Sequence, residues 1–206
     1  MKKKLLLISG IVFLVVAFIV LNYSETSTPH TGIDFTYTDL QKIKTMLNSK
    51  NIFMSSPTII SDDTVNRYCM YFDDQNKQQI MNTCLTTSVT DINGNPLGNI
   101  NIGGDSQNAL MAVALLESSP LLDSKFGMME SIFEAMISVL VCDCWEEKHP
   151  GGFESVKHWM QAAKEHHVDS GRDSTKSRIS GLVEKEIVLE ITKTRDSYLW
   201  TLIIIK

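Results

Sequence analysis

The residues of this chain with the most chemical potential are its four cysteines, Cys69, Cys84, Cys142 and Cys144, the last two separated by one residue. An even number of cysteines suits a disulfide framework in oxidising surroundings, or a metal or redox site in reducing ones. A bridge within Cys142-Asp143-Cys144 would close a strained small ring. If all four pair, Cys69 and Cys84 must therefore each reach one member of the C-x-C. A hairpin turning on Asn76-Lys77 sets Cys69 opposite Cys84, with Cβ atoms about 5 Å apart. On extended chain, Cys142 and Cys144 would point to one side about 6.6 Å apart. Two parallel bridges would then tie the hairpin to the end of a helix.

The competing arrangement is a direct Cys69–Cys84 bridge that leaves Cys142 and Cys144 as free thiols. With His149 they would offer two soft thiolates and an imidazole, a donor set for copper or zinc, and His158 stands close enough in sequence to add a fourth ligand. Free thiols there could also exchange disulfides, although the usual redox spacing has two residues between the cysteines. His149 directly precedes Pro150 and a glycine pair, and its plainer reading is a solvated loop residue.

Other candidates have plain readings too. His166 and His167 are adjacent on a helix, point about 100° apart and share no face, so they read as a solvated helix end. Glu130 and Glu134 share a helix face and read as its solvated stripe rather than as an acid–base pair. The ten methionines are dispersed and, like Trp145, Trp159 and Trp200, read as core. No nucleophile elbow, zinc-protease helix, P-loop or dinucleotide glycine pattern occurs. No catalytic residue is singled out, and the reading leans away from an enzyme.

What places these cysteines is the N-terminus. Leu5 to Leu21 carries no charge and follows Lys2, Lys3 and Lys4, and the next basic residue is Lys42. As a helix this run spans about 26 Å, close to the ~30 Å of bilayer hydrocarbon. The lysine asymmetry puts Lys2–Lys4 in the cytoplasm and the rest of the chain outside. The run is longer than a signal core, and Leu21-Asn22-Tyr23 offers no small-residue cleavage site, so 1–21 reads as a retained single-pass anchor. Residues 22–32 are polar, contain Pro29 and read as a flexible tether. Residues 33–206 then form one extracytoplasmic domain, attached to the cell membrane through 5–21. The net charge of −5 argues against nucleic acid and against a second, electrostatic hold on anionic lipid.

Within 33–206 the pattern is α+β: an antiparallel sheet of about five or six strands against about four helices. A first helix runs from Asp39 to Asn48, with Thr38 and Gln41 at capping-box spacing. Strand signals follow from Ile52 to Ile102, including Val65–Phe72 and Gln78–Ile92, with Pro57 confining its own run to an edge. Asp105 or Ser106 caps a helix over Asn108–Leu116. A mostly apolar core helix covers Phe126–Val141 and another covers Phe153–His167. Residues 168–180 read as a mobile loop. The end is the clearest hairpin, with Ile187 opposing Ile204, Leu189 opposing Leu202 and Ile191 opposing Trp200.

The expected function is thus a membrane-anchored protein whose disulfide-stabilised outer domain binds a protein or small ligand without catalysis. The alternative is an outward-facing copper- or zinc-binding or thiol-redox protein built on Cys142, Cys144 and His149.

Overall fold

The C-terminal alternation folds as its pattern dictates. Strand β7 (Lys185–Lys193) pairs antiparallel with β8 (Tyr198–Ile205), and Ile187, Leu189 and Ile191 oppose Ile204, Leu202 and Trp200. The turn closes between Thr194 and Ser197. The computed structural model describes residues 34–60, 65–69 and 81–206, all within the second of the chain's two units, Met1–Thr31 and Gly32–Lys206. The expected anchor (1–21) and tether (22–32) lie outside the described residues. Among the described residues no helix is long and apolar enough to cross a membrane.

The fold is α+β, and its antiparallel sheet has eight strands rather than five or six. The order is β1 (Phe53–Met54), β3 (Thr83–Thr90), β4 (Pro96–Gly104), β5 (Ala109–Ser118), β8, β7 and β6 (Ser174–Leu182), while β2 (Thr58–Ile60) also pairs with β3. Pro57 separates β1 from β2, and both stay on the sheet edge, as its missing N–H requires. Three helices of ten residues or more are described: α1 (Asp39–Asn48), α2 (Phe126–Leu140) and α3 (Val156–Ser170). Single helical turns cover Val65–Tyr68 and Trp145–Lys148.

Two segments overturn the sequence reading and supply the extra strands. The expected helix over Asn108–Leu116 is instead strand β5, Ala109–Ser118, in the sheet interior between β4 and β8. Alanine and leucine favour helix, but here both faces are buried: Ala112, Ala114 and Leu116 on the helix side, Met111 and Val113 on the other. Burial on two faces outweighs a preference of under ~1 kcal/mol per residue. Asp105, expected as a helix cap, instead accepts the backbone N–H groups of Gln107 (2.7 Å) and Asn108 (2.6 Å) and makes the β4–β5 turn. Of the expected 168–180 loop, residues 168–170 end helix α3 and 174–180 belong to edge strand β6. Its Thr175 and Ile179 face inward, while Lys176 and Arg178 pair outward with Glu190 (3.4 Å) and Glu186 (3.1 Å). Charges on an edge blunt pairing with other chains and also make the segment read as a loop.

Smaller corrections follow the same logic. Val65–Tyr68 is a helical turn, not a strand, and residues 70–80 lie outside the described residues. Thr38 makes no side-chain cap on α1; the Asp39 carboxylate accepts the Thr36 N–H (2.6 Å) and meets Lys42 (2.6 Å) instead. Helix α3 starts later than expected, where the Ser155 hydroxyl accepts the His158 N–H at 3.1 Å.

The sheet separates two cores. Helices α1, α2 and α3 cover one face, packing Ile43, Phe133, Met136 and Trp159, with Phe35 from the segment before α1, onto Ile100, Ala112, Leu189 and Leu202. Trp145, Trp159 and Trp200 all lie in this core, as their sequence context implied. On the other face Val65, Cys69, Met81 and Cys84 pack onto Met111, Val113, Val188 and Ile203.

Candidate functional site

The four cysteines sit at two separate places. Cys69 follows the Val65–Tyr68 turn and bonds Cys84 of β3, with Cα atoms 6.0 Å apart. Cys142 bonds Cys144, with Cα atoms 5.1 Å apart. The hairpin and the C-x-C are therefore not joined, unlike the arrangement favoured from sequence. Cys84 is paired in the sheet with Gly103 and Ile60, so the first bridge does not span a two-strand hairpin of the expected kind.

The small ring forms because the chain bends where extension was expected. Helix α2 ends as the Cys142 N–H donates to the Ile137 carbonyl (3.0 Å), and the next helical turn begins as the Cys144 carbonyl accepts Lys148 N–H (3.0 Å). The bend brings the Cα atoms to 5.1 Å, well inside the ~6.6 Å of extended chain, which lies near the upper limit of the usual disulfide range of about 4.4–6.8 Å. Trp145 pins it: its ring is buried, stacks at 5.6 Å on Trp159, and donates Nε1–H to the Phe153 carbonyl at 3.1 Å.

The two bridges differ in exposure and in what they hold. Cys69 and Cys84 are fully buried. Cys142 is 9% exposed and Cys144 is partly exposed. Loop-closure entropy assigns a bridge spanning 15 residues, the Cys69–Cys84 separation, about 3 kcal/mol. The same relation gives a C-x-C bridge roughly half that.

Cys142 also lines a groove of about 410 Å³. Its walls come from the end of α1 (Met46, Lys50), one side of α2 (Glu134, Ile137, Ser138), the cysteine bend (Asp143, Trp145, Glu146, Glu147) and the start of α3 (Ser155, Val156). Lys50 Nζ lies 3.1 Å from Glu134, so four carboxylates face one already paired ammonium. The groove is acidic, with Met46, Ile137 and Val156 as apolar patches.

The remaining sequence candidates are dispersed. His149 is exposed and occupies a left-handed backbone position (φ 43°) that ends the Trp145–Lys148 turn. His158 packs its ring against Phe153 at 5.7 Å. Among the described residues, no three of His, Cys, Asp or Glu converge in a geometry that could hold a metal ion. Both thiols of the copper or zinc donor set are bonded to each other, so that set would exist only after reduction. Glu130 pairs with Lys157 (3.4 Å) and Glu134 with Lys50, so each α2 carboxylate has its own cation.

One histidine departs from its expected setting. His167 is 5% exposed, not solvated: its Nδ1 lies 3.0 Å from Thr175 Oγ1 and its ring meets Tyr198 edge-on at 6.0 Å. Burial, with Lys193 and His166 nearby, holds its pKa below the usual histidine range. The burying partner is β6, which supplies Thr175 and whose sequence has the pattern of a loop. His166 remains exposed.

No family model matches this chain, and no curated protein or solved structure is significantly similar to it.

Proposed function

We propose that this chain is a single-pass membrane protein, anchored through residues 5–21 with Lys2–Lys4 in the cytoplasm, whose outer domain is a binding module. The support for placement is the sequence itself: an uncharged run preceded by three lysines, then a cysteine content suited to oxidising surroundings. The binding surface is the acidic groove beside the Cys142–Cys144 bend, and that groove carries the reading. Its charge and apolar patches suit a polypeptide segment that combines basic and apolar side chains. Binding of such a segment requires no chemistry.

The test uses the full-length chain in detergent and two labelled, cysteine-free peptides of the same apolar sequence, one flanked by lysines and one by glutamates. Fluorescence anisotropy should detect the lysine peptide and not the glutamate peptide. Met46→Lys, at the groove rim, should weaken the lysine peptide's binding about tenfold, and high salt should weaken it further. Equal binding of both peptides, or no effect of Met46→Lys, contradicts the groove assignment. For placement, protease added to intact cells should remove residues 33–206.

A second reading rests on one specific observation, a Cys142–Cys144 bridge whose Cys142 lines the groove and whose Cys144 is partly exposed, which offers thiol–disulfide chemistry. Copper or zinc binding by Cys142, Cys144 and His149 belongs to the reduced form of the same site.

A further inference from the structure

We infer that the Cys142–Cys144 bridge is an exchangeable disulfide that accepts electrons from thiols, with preference for thiols carrying positive charge. Three observations lead there. Cys142 lines a groove of about 410 Å³ and its partner Cys144 is partly exposed, whereas Cys69 and Cys84 are sealed in the second core. The bend that carries the bridge is held without it, by the Cys142 N–H to the Ile137 carbonyl and by the buried Trp145 on Phe153 and Trp159, so opening the bridge leaves the site in place. Asp143 lies between the two cysteines, and Glu146 and Glu147 line the same groove, so an incoming thiol meets a negative field. That field concentrates cationic thiols and repels anionic ones over the ~10 Å reach of charges at 0.1 M salt.

The exchange is balanced as follows. A substrate thiolate attacks Sγ of Cys144, the more exposed residue of the pair. A new S–S bond forms as the Cys142–Cys144 bond breaks, and the departing electron pair stays on Cys142 Sγ, which takes a proton from water. A second thiolate, on the same substrate or on a second molecule of a monothiol, attacks the substrate sulfur of the mixed disulfide and releases Cys144, which is protonated in turn. The two substrate thiols are oxidised to one disulfide, and two electrons and two protons end on Cys142 and Cys144. Excess low-molecular-weight disulfide reverses the sequence and restores the bridge.

The charge preference rests on the acidic-groove reading, while exchange itself rests on the bridge. The test treats the native full-length chain with cysteamine (cationic), 2-mercaptoethanol (neutral) or 2-mercaptoethanesulfonate (anionic) at matched thiolate concentrations. Alkylation quenches the reaction, and peptide mass spectrometry reads each cysteine. Cys142 and Cys144 should be labelled about tenfold faster than Cys69 and Cys84. Cysteamine should outpace the sulfonate about tenfold at low salt, with the ratio collapsing near about 1 M salt and in the Glu146→Gln/Glu147→Gln variant. Equal labelling of the two bridges, or thiols ranked without regard to charge at low salt, overturns the inference. Because the ranking and its salt dependence come from the unmodified protein, those two results do not depend on any variant folding. Loss of lysine-peptide binding with this ranking intact would remove the peptide reading and leave the exchange site standing. Peptide binding with an inert bridge would do the reverse.

Discussion

The two cysteine pairs use the same bond for opposite ends. Cys69–Cys84 links a helical turn to strand β3 across fifteen residues, lies fully buried, and presses on Gly103 of β4. Cys142–Cys144 links residues that the α2 bend already holds together, and it lies at a groove surface. The first bridge removes many unfolded conformations and cannot be reached by solvent thiols; the second removes few and can be reached. Sequence spacing and exposure, more than the presence of a bridge, divide structural from exchangeable sulfur.

Removing the first bridge should have the largest effect. Cys84→Ala should lower unfolding free energy by about 3 kcal/mol, measured by urea denaturation. Next, Gly103→Ala would place a Cβ 2.7 Å from Cys69 Cβ and 2.8 Å from its Sγ, so a loss of about 2 kcal/mol is expected. The same substitution at exposed Gly94, whose added Cβ meets nothing within 4 Å, tests backbone conformation alone because of its φ of +79°. A similar loss, about 2 kcal/mol, is expected for Thr175→Val, which leaves the buried His167 without its hydroxyl partner.

His167 adds a pH dependence. Its pKa is lowered in the fold, so the unfolded chain binds the proton first as pH falls. Its contribution is complete above about pH 6.5 and is lost as pH drops below that value. Thermal melts of the native protein should show this decline, and His167→Gln should flatten it. By contrast, the Cys142→Ser/Cys144→Ser variant should lose only about 1.5 kcal/mol. Lys50→Gln, which breaks a half-exposed pair with Glu134, should cost under about 1 kcal/mol.

Much of the fold was legible where pattern and burial agree. The β7–β8 register follows from Ile187, Leu189 and Ile191, because a one-residue slip would expose every one of them. Helix α2 was legible because its polar residues recur on one narrow stripe. Strand β5 was not, since alanine-rich sequence states a local preference while its neighbours β4 and β8 impose a non-local one. Strand β6 was hidden for another reason. It joins β7 through Val183-Glu184, both left-handed (φ 52° and 60°), in place of the Asn-Gly pair that normally marks so tight a turn.

The candidate site was legible in part. Cys142 and Cys144 stood out by type and spacing, but their partners depended on whether the chain bends or extends after α2. That is decided by the burial of Trp145 against Trp159, a contact between residues fourteen apart. The groove draws on α1, α2 and α3 together, and no local pattern announces a surface of that kind. His167 shows the same limit, since the strand that buries it carried no strand signal of its own.

Bridge mapping tests the division between the two pairs most directly. The full-length protein, isolated from its native cells with free thiols blocked at lysis, would be digested without reduction and its cross-linked peptides identified by mass spectrometry. The expected result is one peptide pair joining Cys69 to Cys84, and one internally linked peptide containing Cys142 and Cys144. Any peptide joining Cys69 or Cys84 to Cys142 or Cys144, or blocked thiols at all four positions, contradicts it.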